Sequence, residues 1–184
     1  MKTFLTVILA LTTAALTTGS AVAAPKKVSV VTTLNVLASV TRDIGGDRVS
    51  VTALAKPNQD PHTLVAKPTF KVLAKNANLF VEIGLGLDIW GSAVTDASGN
   101  PDIQTGQKGR VIAAEGITTR ELPATLSKAW GDIHPNGNPH VWLDPVNAKQ
   151  IAANIAAGLT RVDPDGKDVY AANLKAFGVK IDDM

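Results

Sequence analysis

The chain has 184 residues, 45% of them hydrophobic and 18% charged, with a formal net charge of +2, a balance that builds a globular protein with ample core-forming side chains. Its 18 lysines and arginines nearly match its 16 aspartates and glutamates and form no run of four or more, which excludes a nucleic-acid tract or a polybasic membrane patch. No cysteine occurs, so disulfides, thiolate metal sites, cysteine nucleophiles and a lipid-anchored N-terminal cysteine are excluded together, and any metal must be held by nitrogen and oxygen.

Met1 and Lys2 make a short basic start, residues 4–16 are apolar with interspersed threonines, and Ala21-Val22-Ala23 puts small residues where a signal peptidase inspects them. Residues 1–23 are therefore expected to be a secretory signal peptide, with a mature start at Ala24, since a cut one residue later would leave Pro25 beside it. The apolar stretch, about 13 residues, falls short of the roughly 20 that a membrane-crossing helix needs. A bacterial-type signal without cysteine points to the periplasm. About 160 mature residues suit one domain and leave little room for two full lobes.

Residues 27–33 are dense in β-branched side chains and predict a central strand buried on both faces. Residues 34–44 place Val36, Leu37, Val40 and Ile44 at helical spacing and stop at Gly45-Gly46. A second strand is predicted over 48–55 and a loop over 58–68. Thr69 is expected to cap a short helix whose Phe70, Leu73, Ala74 and Ala77 share a face, and residues 78–83 read as a third strand. Gly84 and Gly86 then turn the chain into a helix over 87–97. Residues 98–101 signal a turn and 110–114 a short fourth strand, while residues 115–139 lose periodicity and predict a long functional loop. A brief extended segment is expected over 140–143. Asp144-Pro145 is a helix cap followed by proline in the first turn, and Ala148, Ile151, Ala152, Ile155 and Leu159 form the apolar stripe of the clearest helix. A last helix is expected from Pro164 through Tyr170 and Leu174 to Phe177. Strands alternating with helices define an α/β fold with a mainly parallel sheet.

Three histidines occur, all in loops beside prolines: Asp60-Pro61-His62, Asp132-Ile133-His134-Pro135 and Asn138-Pro139-His140. A preceding proline stiffens the backbone and lowers the entropy lost when an imidazole is fixed on a ligand. His62 follows the second strand, where open α/β sheets bind ligands, and His140 follows the long loop, so both are candidates for one edge of the sheet. Neutral imidazoles suit zinc, manganese, iron or copper, and a tetrahedral site wants about two further ligands. Taken alone, two loop histidines read equally well as surface residues. His134 is a third candidate, because Asn136-Gly137 can turn the chain back toward His140; a loop histidine, or a hydrogen-bonding residue behind the ligands, is the simpler reading. Asp144 reads as a helix cap sooner than as a ligand, and Asp60 and Asp132 as turn formers that orient their loops sooner than as groups that hydrogen-bond a ligand. Trp90, Trp130 and Trp142 read as packing residues. Gly84-Leu85-Gly86 lacks the further residues of a phosphate loop, and no paired histidines flank a glutamate as a zinc hydrolase requires. No catalytic constellation emerges.

Asp60-Pro61-His62-Thr63 with Lys67-Pro68, Gly84-Leu85-Gly86-Leu87-Asp88, and the block over 131–145 (Gly-Asp-Ile-His-Pro-Asn-Gly-Asn-Pro-His-Val-Trp-Leu-Asp-Pro) resemble the solute-binding proteins of zinc and manganese ABC transporters. The resemblance spans nearly the whole mature chain in order and spacing. It implies a periplasmic binder, not an enzyme, that captures zinc or manganese and delivers it to a membrane permease powered by an ATPase. It implies His62 and His140 as metal ligands, whereas the position of His134 is outside the usual ligand set. Members have two α/β lobes joined by a long helix, with a histidine or glutamate and an aspartate as further ligands from the second lobe. Those elements are missing here, so the chain resembles an N-terminal half: a metal-binding lobe over 24–160 and the start of the connecting helix over 161–184. Capture by this half alone is expected to be weak. The histidine-rich loop common in zinc importers has no histidine over the corresponding residues 118–130. Two other readings are a metal-linked surface adhesin or scaffold, since some resembling proteins are adhesins, and a secreted metal hydrolase.

Overall fold

The computed structural model describes residues 27–120, 122 and 134–184. Among them four strands, β1 (Val28–Thr32), β2 (Val49–Ala53), β3 (Leu79–Glu82) and β4 (Arg110–Ile112), form one sheet in the order β2-β1-β3-β4. Every pairing is parallel; Val30, for example, faces Val51 on one side and Leu79 on the other. The expected signal peptide lies outside the described residues.

Burial follows position in the sheet. All four residues of the inner strand β3 are buried, so Leu79, Phe80 and Val81 are apolar on both faces and Glu82 at its end needs a buried partner. The edge strand β2 alternates, with Val49 buried and Ser50 and Thr52 exposed. Its hydrogen-bonded core is shorter than the sequence pattern suggests, because Leu54 and Ala55 continue as buried backbone bonded to Thr32 and Thr33 without extending the ladder.

Among the described residues five helices cover the sheet: α1 (Asn35–Gly45), α2 (Pro68–Lys75), α3 (Trp90–Ser98), α4 (Pro145–Val162) and α5 (Lys167–Asp182). None of them is long and apolar enough to cross a membrane. In α4, Ile151, Ile155 and Leu159 are fully buried on one stripe, each contributing about 2 kcal/mol of apolar burial. Gly158 lets that helix close on the sheet, since a Cβ there would meet Val111 Cγ2 at 2.3 Å and Leu79 Cδ1 at 3.4 Å. α3 sits over the neighbouring residue, with Gly91 against the Phe80 ring. Successive strand residues point to opposite faces, so α4 and α3 lie on opposite sides of the sheet. α1, α4 and α5 pack together on the first side, and α2 pairs with α3.

Several boundaries differ from the sequence expectation. α2 begins at Pro68 after Lys67, with proline in the first turn, so Thr69 is inside the helix and does not cap it. The helix after Gly86 starts at Trp90 because residues 84–86, all at positive φ, and the turn that follows occupy the intervening chain. The segment expected to be extended over 140–143 is a 3-10 turn, Val141–Leu143, closed by the Leu143 N–H donating to the His140 carbonyl at 3.2 Å. The last helix is preceded by another such turn, Pro164–Gly166.

Two ionic groups tie the sheet side to the elements around it. Arg110, 6% exposed, donates to both oxygens of Glu82, 7% exposed, at 3.1 and 2.7 Å, and to Thr95 Oγ1 at 2.8 Å. Burial raises the Glu82 carboxyl above its ordinary range despite the opposing Arg110 charge. At the other end Arg48 donates two bonds of 2.9 Å to Asp163, which also accepts from the buried Tyr170 hydroxyl, tying α5 to the sheet side of the lobe.

Candidate metal centre

The sheet order reverses between β1 and β3, which opens a crevice at the carboxyl ends of those strands. The β3–α3 loop forms part of that edge. Asp88 holds it, accepting from the Ile83 and Gly84 N–H groups at 2.8 and 3.0 Å and from Thr33 Oγ1 at 2.5 Å.

His62 is presented by its own neighbours. The Asp60 carboxylate accepts from the His62 backbone N–H at 2.9 Å and lies 2.8 Å from Nδ1. A carboxylate only accepts, so Nδ1 carries the proton and Nε2 turns its lone pair outward. Those two bonds, from the backbone first and then the ring, hold the Asp60 carboxyl below its usual range. The loop is also clamped from α3: the Trp90 Nε1–H donates to the Pro61 carbonyl at 2.8 Å, and the indole is buried against Phe70.

His140 repeats the construction with a neutral partner. Asn138 Oδ1 accepts from the His140 backbone N–H at 3.0 Å and lies 2.9 Å from Nδ1, so Nε2 again presents its lone pair. Burial first, and then His62, push the His140 imidazole below its ordinary value of 6.5, which favours the neutral, ligating form. The Trp142 ring lies 5.2 Å from it, centroid to centroid. Beyond His140 an open cleft of about 510 Å³ runs between Thr118, Arg120, Leu143 and Asn147. Asp144 faces the helix, accepting from the Val146 N–H at 2.9 Å as the cap of α4.

The structure brings all three histidines together. Ring centroids are 5.1 Å apart for His62 and His134, 5.2 Å for His62 and His140, and 6.3 Å for His134 and His140. The Nε2 atoms of His62 and His134 are 3.1 Å apart, and His134 rests beside Gly86, where a Cβ would lie 3.7 Å from its Nδ1. As they stand, no three histidine, cysteine, aspartate or glutamate side chains among the described residues close on one ion position. Asp132 and Trp130 lie outside the described residues.

Sequence reasoning found the histidines and the orienting role of Asp60, and missed the other groups that aim them. Asn138 drew no attention, and Trp90 was expected only to pack. One signal was available: each of the three histidines has an aspartate or asparagine two residues before it, at 60, 132 and 138, the spacing at which an Asx side chain reaches the following backbone N–H.

Comparison with known proteins places this geometry. A family model described as zinc-uptake complex component A, periplasmic, matches residues 30–184. The chain is 30% identical over 159 residues to the manganese ABC transporter substrate-binding lipoprotein PsaA of Streptococcus anginosus, covering 86% of this chain and 50% of the relative. It is 29% identical over 167 residues to the iron ABC transporter substrate-binding lipoprotein MtsA of Streptococcus pyogenes serotype M1, covering 91% and 52%. The crystal structure of a zinc-bound ZnuA deletion mutant superposes with a TM-score of 0.72 at 31% identity over 85% of this chain and 55% of that one. The chain spans about half the length of the curated relatives it matches. Neither the adhesin nor the hydrolase reading gains support from these matches. The four-stranded parallel lobe and the residues matched by the family model lead to one assignment: this chain belongs to the family of the periplasmic zinc-uptake complex component A.

Proposed function

We propose that this chain is the metal-capturing lobe of an ABC-transporter solute-binding protein. On this reading it works in the periplasm after removal of residues 1–23, and takes up a divalent transition metal, zinc or manganese, as cargo for a membrane permease. It binds and releases, and performs no chemistry on its cargo. His62 and His140 are the ligands, with residues 24–160 forming the lobe and 161–184 starting a connecting helix. The observation that carries the reading is the paired Asx-Pro-His construction, in which Asp60 and Asn138 occupy Nδ1 of His62 and His140 and leave both Nε2 lone pairs for a metal at the sheet edge.

The test is metal-induced stabilisation. A cargo that binds only the folded chain raises its stability, by about 2.7 kcal/mol when its free concentration is 100 times Kd. Zinc is expected to raise the melting temperature of the chain, and H62A or H140A to lose most of that rise. Both variants retaining the full rise would remove the assignment.

A further inference from the structure

We propose that His134 is a third imidazole ligand of the same site, and that it biases this chain toward zinc over manganese. The inference rests on the reading of His62 and His140 as ligands and extends it to a residue outside the ligand set that the family resemblance implies.

Three observations support it. The first is spacing: two nitrogens each about 2.05 Å from one zinc at a tetrahedral angle lie about 3.3 Å apart, and the Nε2 atoms of His62 and His134 are 3.1 Å apart. Two loops separated by 72 positions thus hold a nitrogen pair at the separation one ion requires. The second is orientation. With Nδ1 of His62 engaged by Asp60, its Nε2 has only a lone pair to offer, so without metal the His134 Nε2 faces it as a proton donor. When a metal enters, the His134 proton moves from Nε2 to Nδ1 by exchange with solvent, so that the neutral ring turns an Nε2 lone pair to the ion beside that of His62. The third is the shared sequence context, since His134 carries the same Asx at two residues before it as His62 and His140.

His140, 5.2 Å from His62 and 6.3 Å from His134 by ring centroids, is the ring that must close on this pair. Three imidazoles then form one face of a tetrahedral shell with a fourth position open. That donor set suits zinc, whereas manganese favours oxygen ligands. A site with His62 and His140 alone from this lobe carries less of that bias.

Zinc and manganese are titrated separately by calorimetry into the unaltered chain and into H62A, H140A, H134A and H134Q. Cobalt absorption is recorded for each as a measure of tetrahedral nitrogen coordination. Melting temperatures without metal confirm that the variants fold. Both His134 variants are expected to weaken zinc by at least about tenfold, leave manganese within about threefold, and lower the cobalt absorption. If H62A and H140A weaken zinc while both His134 variants match the unaltered chain in affinity and cobalt spectrum, the inference is overturned and the proposed function survives. If neither H62A nor H140A weakens zinc, both fall.

Discussion

Asp60 and Asn138 use the same two hydrogen bonds to aim two histidines, one through a carboxylate and one through an amide. The difference between them has consequences for the neighbouring rings. A carboxylate strengthens the basicity of its imidazole and draws the metal harder, while an amide fixes the ring without adding charge. D60A is therefore expected to lower zinc affinity by about ten- to a hundredfold while leaving the metal-free melting temperature nearly unchanged, because Asp60 is an exposed loop residue. Calorimetric titration beside a thermal melt checks it; unchanged affinity would show that the carboxylate only shapes the turn. Trp90 acts one step further back. Its bond to the Pro61 carbonyl joins α3 to the residue directly before His62, so the indole has a positioning role that packing alone does not describe.

At the scale of elements, the attachment of α5 depends on charge. The Arg48 bonds, aided by the Tyr170 hydroxyl, hold the Asp163 carboxyl below its ordinary 3.8, against the opposing effect of burial. Burial, together with the bond to Asp163, pushes the Tyr170 hydroxyl up to about 12. A carboxyl whose folded value is depressed stabilises the fold fully above its unfolded value, and that contribution is lost as pH falls through the folded one. D163N, which keeps the shape and removes the charge, should therefore melt below the unaltered chain at pH 7. The gap should begin to close as pH drops past about 3.8 and vanish below the folded value. A gap that is absent at pH 7, or that persists unchanged into strong acid, would contradict the role assigned to this cluster. Glu82 slopes the other way: its raised carboxyl costs stability as pH rises between its unfolded and folded values, equally in both chains, so the gap between them still reports Asp163.

At the scale of the molecule, the α/β class and the parallel sheet were legible because the inner strands are dominated by β-branched and apolar residues, and α4 carries a stripe that only burial explains. Residues 140–143 were misread as extended because Val141 and Trp142 favour strands, while the local bond from Leu143 to the His140 carbonyl decides the turn. The Arg110–Glu82 pair was invisible for a related reason: charges at strand ends read as exposed, and only the packing of α3 and the Pro101–Ile103 turn over β4 buries them. In the site, proline-adjacent histidines could be picked out one at a time. The topology also pointed His62 and His140 to one sheet edge; that His134 joins them was the less favoured reading, since it depends on the segment before His140 folding back against Gly86 and the His62 loop. The central claim is that the imidazoles of His62 and His140 hold the cargo, and X-ray absorption at the zinc edge of the loaded chain tests it most directly. A shell of nitrogen and oxygen donors at about 2.0–2.1 Å with scattering from at least two imidazole rings is predicted, losing one ring in H62A. An all-oxygen shell, or one unchanged by H62A and H140A, would contradict it.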